Sequence, residues 1–518
     1  ENQHRVTLVL RPDPELSARR VKAEMERLAA IKAGLDDAAR QAIIEQAEAL
    51  KERQARKDDD SILPKVGLDD IPRETPYATP VEKLSSPLPL TNYAVGTNGL
   101  VYQQVILRLP PLADEEVELL PLYSGVLTEL GVGERDYLAT QLWQSRVSGS
   151  LTASVGARGT PSDSEALAAH LVLSGKGLAR NQQELTQLMA ETLDRVRFDE
   201  LDRIRDLVAQ RRARREASVT GQGHSLAMLA AASGLGAASQ LAHRWGGLAG
   251  ISALKALDKS LDDSAQLSAF AARLQALHDK LRSAPRQYLL VGEAERLADY
   301  KAALVSGFPE GTWPQTLDPF VVATAAAPTR TAWKTSTQVN FCANAYPTVS
   351  SAHPDAAALT VLGGFLRNGY LHTAIREQGG AYGGGASQDN HAAAFRFFSY
   401  RDPRLEETLA DFDSALDWLQ RDDHGWQPVE EAILGVIASL DKPASPAGEA
   451  KQAFHSELYG GTRELREAFR NRVLAVTLAD LQRVAAEYLT PQRRHSAVIT
   501  SPTRAGELAE TGYEVFSL

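Results

Sequence analysis

The sequence holds a single cysteine, and none of its apolar runs reaches the length a membrane helix needs. Cys342 alone rules out an intrachain disulfide and any cysteine-rich zinc knuckle. Its setting, Val339-Asn340-Phe341-Cys342-Ala343, reads as a strand with a small core residue. A cytosolic location is therefore permitted, and cytoplasm and periplasm both stay open. Basic residues are in deficit: 56 Lys and Arg against 66 Asp and Glu give a formal net charge of -10. A nucleic-acid binder needs a basic face to release phosphate counterions, so neither nucleic acid nor membrane is an expected partner. The acidic balance suits a soluble protein, and one that handles basic peptides.

Catalytic signatures are scarce as well. None of the eleven histidines stands in His-x-x-Glu-His or His-Glu-x-x-His spacing, so no metal site is expected on this chain. His372, followed by Thr373-Ala374-Ile375-Arg376, has no second histidine one turn on. No Gly-x-Ser-x-Gly elbow is present. Ser174-Gly175-Lys176-Gly177 lacks the leading glycine and the hydroxyl residue of a phosphate loop. Gly363-Gly364 and Gly379-Gly380 build no dinucleotide fingerprint.

What is present is an ordinary globular composition, 43% hydrophobic and 24% charged, over 518 residues. That length is too great for one core, so two or more domains are expected. The chain opens on Glu1 with no signal sequence, and Arg5 to Leu10 alternates like a strand. No partner strand follows within sixty residues, so the sequence reads as a piece of something longer, entered in mid-domain. Asp13-Pro14-Glu15 is a helix start, and Leu16, Val21, Met25, Leu28 and Ile31 follow at helical spacing. Gly34 ends that helix and Asp36 caps a second, which runs through Ile44 and Leu50 to Arg56-Lys57. The pair forms a long, polar helical hairpin. A loop rich in Asp and Pro then places a boundary near residues 58–80.

Two α+β sections follow. The first has strands at Leu100 to Leu109, Ala166 to Ser174 and Tyr288 to Gly292, with helices at Glu116 to Leu130 and near Tyr137 to Gln144. One long helical run is expected from Gln182 to Arg215, then a small-residue region over 226–256. Loop composition from Trp313 to Trp333 separates the sections. They resemble each other: Tyr137 to Trp143 and Tyr370 to Arg376 are helical segments leading into small-residue strands. Each section then has a strand, Ala166 to Ser174 or Ala393 to Tyr400, running into an amphipathic helix. Such a long period suggests two copies of one domain.

The most informative segment is Leu371-His372-Thr373-Ala374-Ile375-Arg376-Glu377-Gln378-Gly379-Gly380-Ala381-Tyr382-Gly383-Gly384-Gly385. A helix ends near Gln378, Gly379 supplies the left-handed turn, and Tyr382 lies on a strand otherwise nearly free of side chains. Glycines in such a strand mark close approach by another backbone. Arg376 and Tyr382 aimed at one point would suit a peptide carbonyl or a developing oxyanion. A core ion pair for Arg376 and packing on a helix for Tyr382 would explain the same letters.

This segment, from Asn368-Gly369-Tyr370-Leu371 to Gly383, resembles the last domain of presequence proteases, a group of pitrilysin/insulinase-type zinc peptidases. Ser399-Tyr400-Arg401-Asp402-Pro403 and Ser439-Leu440-Asp441-Lys442-Pro443 with Gly448 are similar to further pieces of it. Arg11-Pro12-Asp13-Pro14 and the hairpin resemble the junction between the halves of such enzymes. The resemblance implies two homologous metallopeptidase-like α/β sandwich domains, preceded by a strand and a helical hairpin linker. Residues 1–14 would close the preceding domain, 15–60 form the linker, 61–312 the third domain and 313–518 the fourth. It implies a zinc endopeptidase whose two halves enclose short unstructured peptides, with the zinc bound by an N-terminal catalytic half that this chain lacks. Arg376 and Tyr382 would be the catalytic residues contributed here, with Gly380, Ala381 and Gly383 touching substrate. The chain alone would be inactive, and the earlier copy, with Trp143 in place of Arg376, silent. A non-catalytic scaffold or partner subunit of the same fold is the competing reading. The alanine- and arginine-rich composition leans bacterial.

Overall fold

The computed structural model describes residues 3–518 apart from 12, 14, 57–61, 309–312, 315–317 and 422. The chain forms two compact units, residues 1–66 and Gly67–Leu518. In the first, two helices form, Leu16–Ala33 and Asp37–Ala55, with Leu28, Ile31 and Ile44 each 51% exposed. The Asp36 carboxylate accepts from the Ala39 N–H at 2.7 Å, and Gly34 ends the first helix. At the first helix start the Asp13 carboxylate accepts from the Glu15 N–H at 3.0 Å, while Pro14 and Lys57 lie outside the described residues. Among the described residues Arg5 to Leu10 joins no strand, and Val6 is 96% exposed. Alternation alone makes no strand, because a strand needs a neighbour for its N–H and C=O groups.

The second unit holds two six-stranded sheets with helices around them, the α+β architecture expected. The first sheet consists of β1 (Glu82–Leu84), β2 (Leu90–Ala94), β3 (Leu100–Arg108), β4 (Ser150–Gly159), β5 (Leu167–Leu178) and β6 (Arg286–Gly292), in the order β1-β2-β6-β3-β5-β4. The second consists of β7 (Arg330–Lys334), β8 (Phe341–Pro347), β9 (Gly383–Asp389), β10 (Ala394–Tyr400), β11 (His495–Thr500) and β12 (Glu514–Ser517), in the order β12-β7-β11-β8-β10-β9. Five strands correspond one to one in order and sense. β2 and β6 are parallel, as are β7 and β11. The remaining three neighbours in each run are antiparallel. Only the sixth strand differs: β1 folds back antiparallel on β2, whereas β12 joins β7 in parallel.

Both faces of each sheet are covered, so the central strands read as nearly continuous apolar runs. In the first sheet Val105, Leu171, Leu173, Tyr288 and Leu290 face that section's own helices. Their alternates Ile106, Val172, Leu289 and Val291 face Ala447, Ala450 and Phe454, on helix Pro446–Leu458 of the second section. The second sheet repeats the device in reverse. Cys342, Tyr346, Phe395 and Val498 face its own helices, while Phe341, Ala343, Ala345 and Ile499 pack against Val219, Leu226 and Ala230 of helix Leu201–Ala232. Each section thus lends a helix to the other's sheet, which welds them into one unit. The single helical run expected from Gln182 onward is two helices, Gln182–Arg195 and Leu201–Ala232, and the second kinks at Gln222. Cys342 is fully buried, and burial raises its thiol pKa well above the ordinary range.

Candidate functional site

The site forms where helix Ala356–Leu366 runs on into wide π-type turns, Arg367–Gln378. Such turns are uncommon and collect at functional sites. Sequence spacing reads the stretch as ordinary helix. The contact that distinguishes it is Gly369 under the Trp418 ring, where no Cβ would fit.

The turn that follows differs from expectation by one residue. Gly379 has φ -81, and the left-handed position is Gly380 at φ 79. Gly379 is glycine for space: the Arg404 guanidinium lies where its Cβ would stand. That guanidinium donates to the Ala374 carbonyl at 3.1 Å and pairs with Asp411 at 2.7 Å, bracing the end of the helix. Arg404 gives no sign of this role in the sequence.

Arg376 and Tyr382 come together and both are exposed, Tyr382 at 66%. The Arg376 guanidinium carbon lies 5.9 Å from the centroid of the Tyr382 ring, and that ring stands edge-on to Tyr400 at 5.3 Å. Among the described residues neither head group has a hydrogen bond or ion pair, so the core ion pair weighed above is absent. Tyr382 sits just before β9 rather than on it, its N–H donating to the Tyr400 carbonyl at 3.0 Å.

The neighbouring backbone is largely committed. The Gly380 N–H donates to the Arg376 carbonyl and the Ala381 N–H to the Ile375 carbonyl, both at 3.1 Å, and the Ala381 side chain is buried. Gly383 differs, with nothing within 4 Å of where a Cβ would be. Gly384 and Gly385 are not vacant for an outside backbone: the side chains of Ile375 and Arg367 fill those places at 2.9 Å. Among the described residues β9 is an edge strand, paired with β10 alone. In the first sheet the matching segment carries Trp143, which the Arg135 guanidinium covers at 4.3 Å. His372 pairs locally with Glu377 at 3.4 Å. Among the described residues no three His, Cys, Asp or Glu side chains are placed to hold a metal. No helix among them is long and apolar enough to cross a membrane.

Residues 10–257 match the family described as associated with M16 peptidases of subfamily C, and residues 331–501 match the PreP C-terminal domain. The mitochondrial presequence protease of Yarrowia lipolytica is 29% identical over 497 residues, covering 95% of this chain and 50% of that protein. The chain spans about half the length of the curated relatives it matches. Those relatives are eukaryotic, so the bacterial leaning of the composition finds no support in them. A conserved protein from Enterococcus faecalis V583 shares the fold at TM-score 0.59 and 15% identity, over 83% of this chain and 99% of that one. A peptidase M16 inactive domain from Pseudomonas fluorescens does so at TM-score 0.53 and 17% identity, over 83% and 98%. With both regions matched in order along the chain, it belongs to the presequence-protease family of M16 peptidases.

Proposed function

We propose that this chain is the C-terminal half of a zinc-dependent endopeptidase that encloses short unstructured peptides and hydrolyses them. The zinc would be held by an N-terminal half of the same protein, and no step on this chain runs through it. The observation that supports the reading is the exposed pair Arg376 and Tyr382 at the start of a sheet edge, their head groups without a hydrogen bond or ion pair among the described residues. A peptide laid along the free side of β9 would find backbone groups that the sheet leaves without partners. Beside it Arg376 offers a permanently charged fork of N–H donors, and Tyr382 offers a hydroxyl. Both would hold a substrate carbonyl weakly in the ground state. As negative charge grows on that oxygen, a charge-assisted hydrogen bond strengthens, and the gain falls in the transition state. Closure of the two halves would exclude water and raise the worth of each contact.

A scaffold subunit has no use for an exposed arginine and phenol braced in this way, which favours the peptidase reading. Peptide kinetics on the complete enzyme carrying Arg376→Ala or Tyr382→Phe test it. Near-normal turnover in both would return the chain to the scaffold reading.

A further inference from the structure

A second basic site lies at the seam between the two sections, where the turn after β9 meets the end of β4. There the His391 carbonyl comes within 2.5 Å of where a Cβ on Gly159 would stand. Beside this contact opens a cavity of about 370 Å³, lined by Arg158, Arg466, His391, His455, Tyr459 and Phe469 with smaller neutral residues between them. Among the described residues no aspartate or glutamate lines it. In a chain with 66 acidic residues and a net charge of -10, such a lining is a selective arrangement.

Three of the carboxylates nearest along the chain are paired away from the cavity, while Glu464 takes a hydrogen bond from Thr462 in the cavity wall. Asp389 pairs with Arg396 at 3.1 Å, Glu467 with Arg463 at 2.7 Å and Glu457 with Lys83 at 2.6 Å. Arg158 rests its guanidinium 4.9 Å over the Tyr459 ring, and Arg466, which also borders a neighbouring cavity lined by Asp441 and Glu449, donates to the Leu440 carbonyl; neither has an ion-pair partner among the described residues. A third guanidinium stands behind them: Arg472 donates to the carbonyls of Ser351 and Ala352, both in the cavity wall, while its buried Nε has no partner among the described residues. The positive field leaves a trace on the histidines. Burial first, and then Arg158, lowers the pKa of His391 and takes that of His455 down to about 4.

We propose that this cavity binds a small organic anion, whose carboxylate or phosphate is held by Arg158 and Arg466 and whose body rests on Tyr459 and Phe469. Charged hydrogen bonds from unpaired guanidinia suit either group, and the volume suits a metabolite-sized ligand. The site is separate from Arg376 and Tyr382: β9, seven residues long, lies between them, a span of roughly 20 Å. The inference therefore stands whether or not the peptidase reading does. Because Arg158 comes from the first section and Arg466 from the second, a bound anion would tie the two together.

The test is calorimetric titration and thermal melting of this chain with citrate, adenosine monophosphate and inorganic phosphate, with adenosine as the neutral control. Saturable binding of citrate or adenosine monophosphate, with a raised Tm, is expected. Citrate alone would identify a carboxylate ligand; a response to adenosine monophosphate and phosphate without citrate would identify a phosphate ligand. Arg158→Gln should weaken binding roughly tenfold, with Arg158→Lys retaining part of it. Arg466→Gln should act likewise; if it does not fold, exposed Arg158 carries the test alone. No saturable binding of any of the three anions, or equal affinity in folded Arg158→Gln, overturns the proposal.

Discussion

Phe341 occupies the place where Gly223 has no side chain: a Cβ at 223 would come within 2.6 Å of its ring. The contact joins a helix of the first section to the second sheet, next to the kink at Gln222. Gly223→Ala should therefore overpack the seam and cost about 1–3 kcal/mol. Since the helix belongs to one section and the sheet to the other, the Gly67–Leu518 unit should still unfold in one transition, at lower denaturant. Two separated transitions, or unchanged stability, would mean that the seam is not a shared core.

Three buried histidines and the half-buried His455 set an acid limit. Burial takes the pKa of His170 down to about 3 and those of His243, His278 and His455 to about 4, against an ordinary 6.5. In the unfolded chain they take up protons as pH falls below 6.5, while the folded chain resists until near 4. Their contribution is thus fully present above 6.5 and is lost as pH falls from there toward 4. The Tm should decline over that window. His170 is the cleanest probe: it stacks on Trp313 at 6.0 Å and meets the Tyr459 edge at 5.2 Å, yet neither ring nitrogen has a hydrogen-bond partner among the described residues. His170→Phe keeps a ring there and removes a titrating group. A shallower fall of Tm with acid is expected, with no loss at pH 7; an unchanged slope would exclude His170 from the effect.

Gly379 and Arg404 should be energetically coupled. An added methyl at 379 displaces the guanidinium from Ala374 and Asp411, at a cost of about 1–3 kcal/mol. In an Arg404→Ala background the methyl still meets the Ile375 carbonyl, 2.5 Å from the Cβ position, but no longer the guanidinium. Gly379→Ala should then cost less than in the parent chain, and a double-mutant cycle on chemical denaturation would read the difference. Additive costs would show that Gly379 is glycine for some other reason.

These couplings mark where the sequence stops informing. Strands with both faces buried are legible in runs such as Tyr288 to Val291, and the repeat is legible in the matching order of elements. The cross-lending of helices is not, because Ala450 and Ile106 are far apart along the chain and only the fold brings them together. Gly384 and Gly385 show the same limit: glycine announces a close neighbour but not which one, and here Ile375 and Arg367 take the space. The pairing of Arg376 with Tyr382 was legible because one short turn separates them. Arg404, supplied by a later segment, was not.

The exposure of Arg376 and Tyr382 allows catalysis to be separated from packing. Tyr382→Phe keeps the ring against Tyr400 and removes only a hydroxyl that bonds nothing else among the described residues; Arg376→Ala removes an exposed cation with no ion pair. Neither change should lower the Tm measurably, since surface substitutions of this kind usually shift stability by less than about 0.5 kcal/mol. In the complete enzyme each should nevertheless lower kcat, because removing one oxyanion donor typically costs about 2.7–4 kcal/mol, roughly a hundred- to a thousandfold in rate. If the two groups also anchor the bound peptide, KM rises in addition; if they act only as charge develops, KM stays near its original value. Melting and peptide kinetics on the same preparations decide between these outcomes. A falling Tm, with activity lost only in proportion to unfolded protein, would assign the pair to packing.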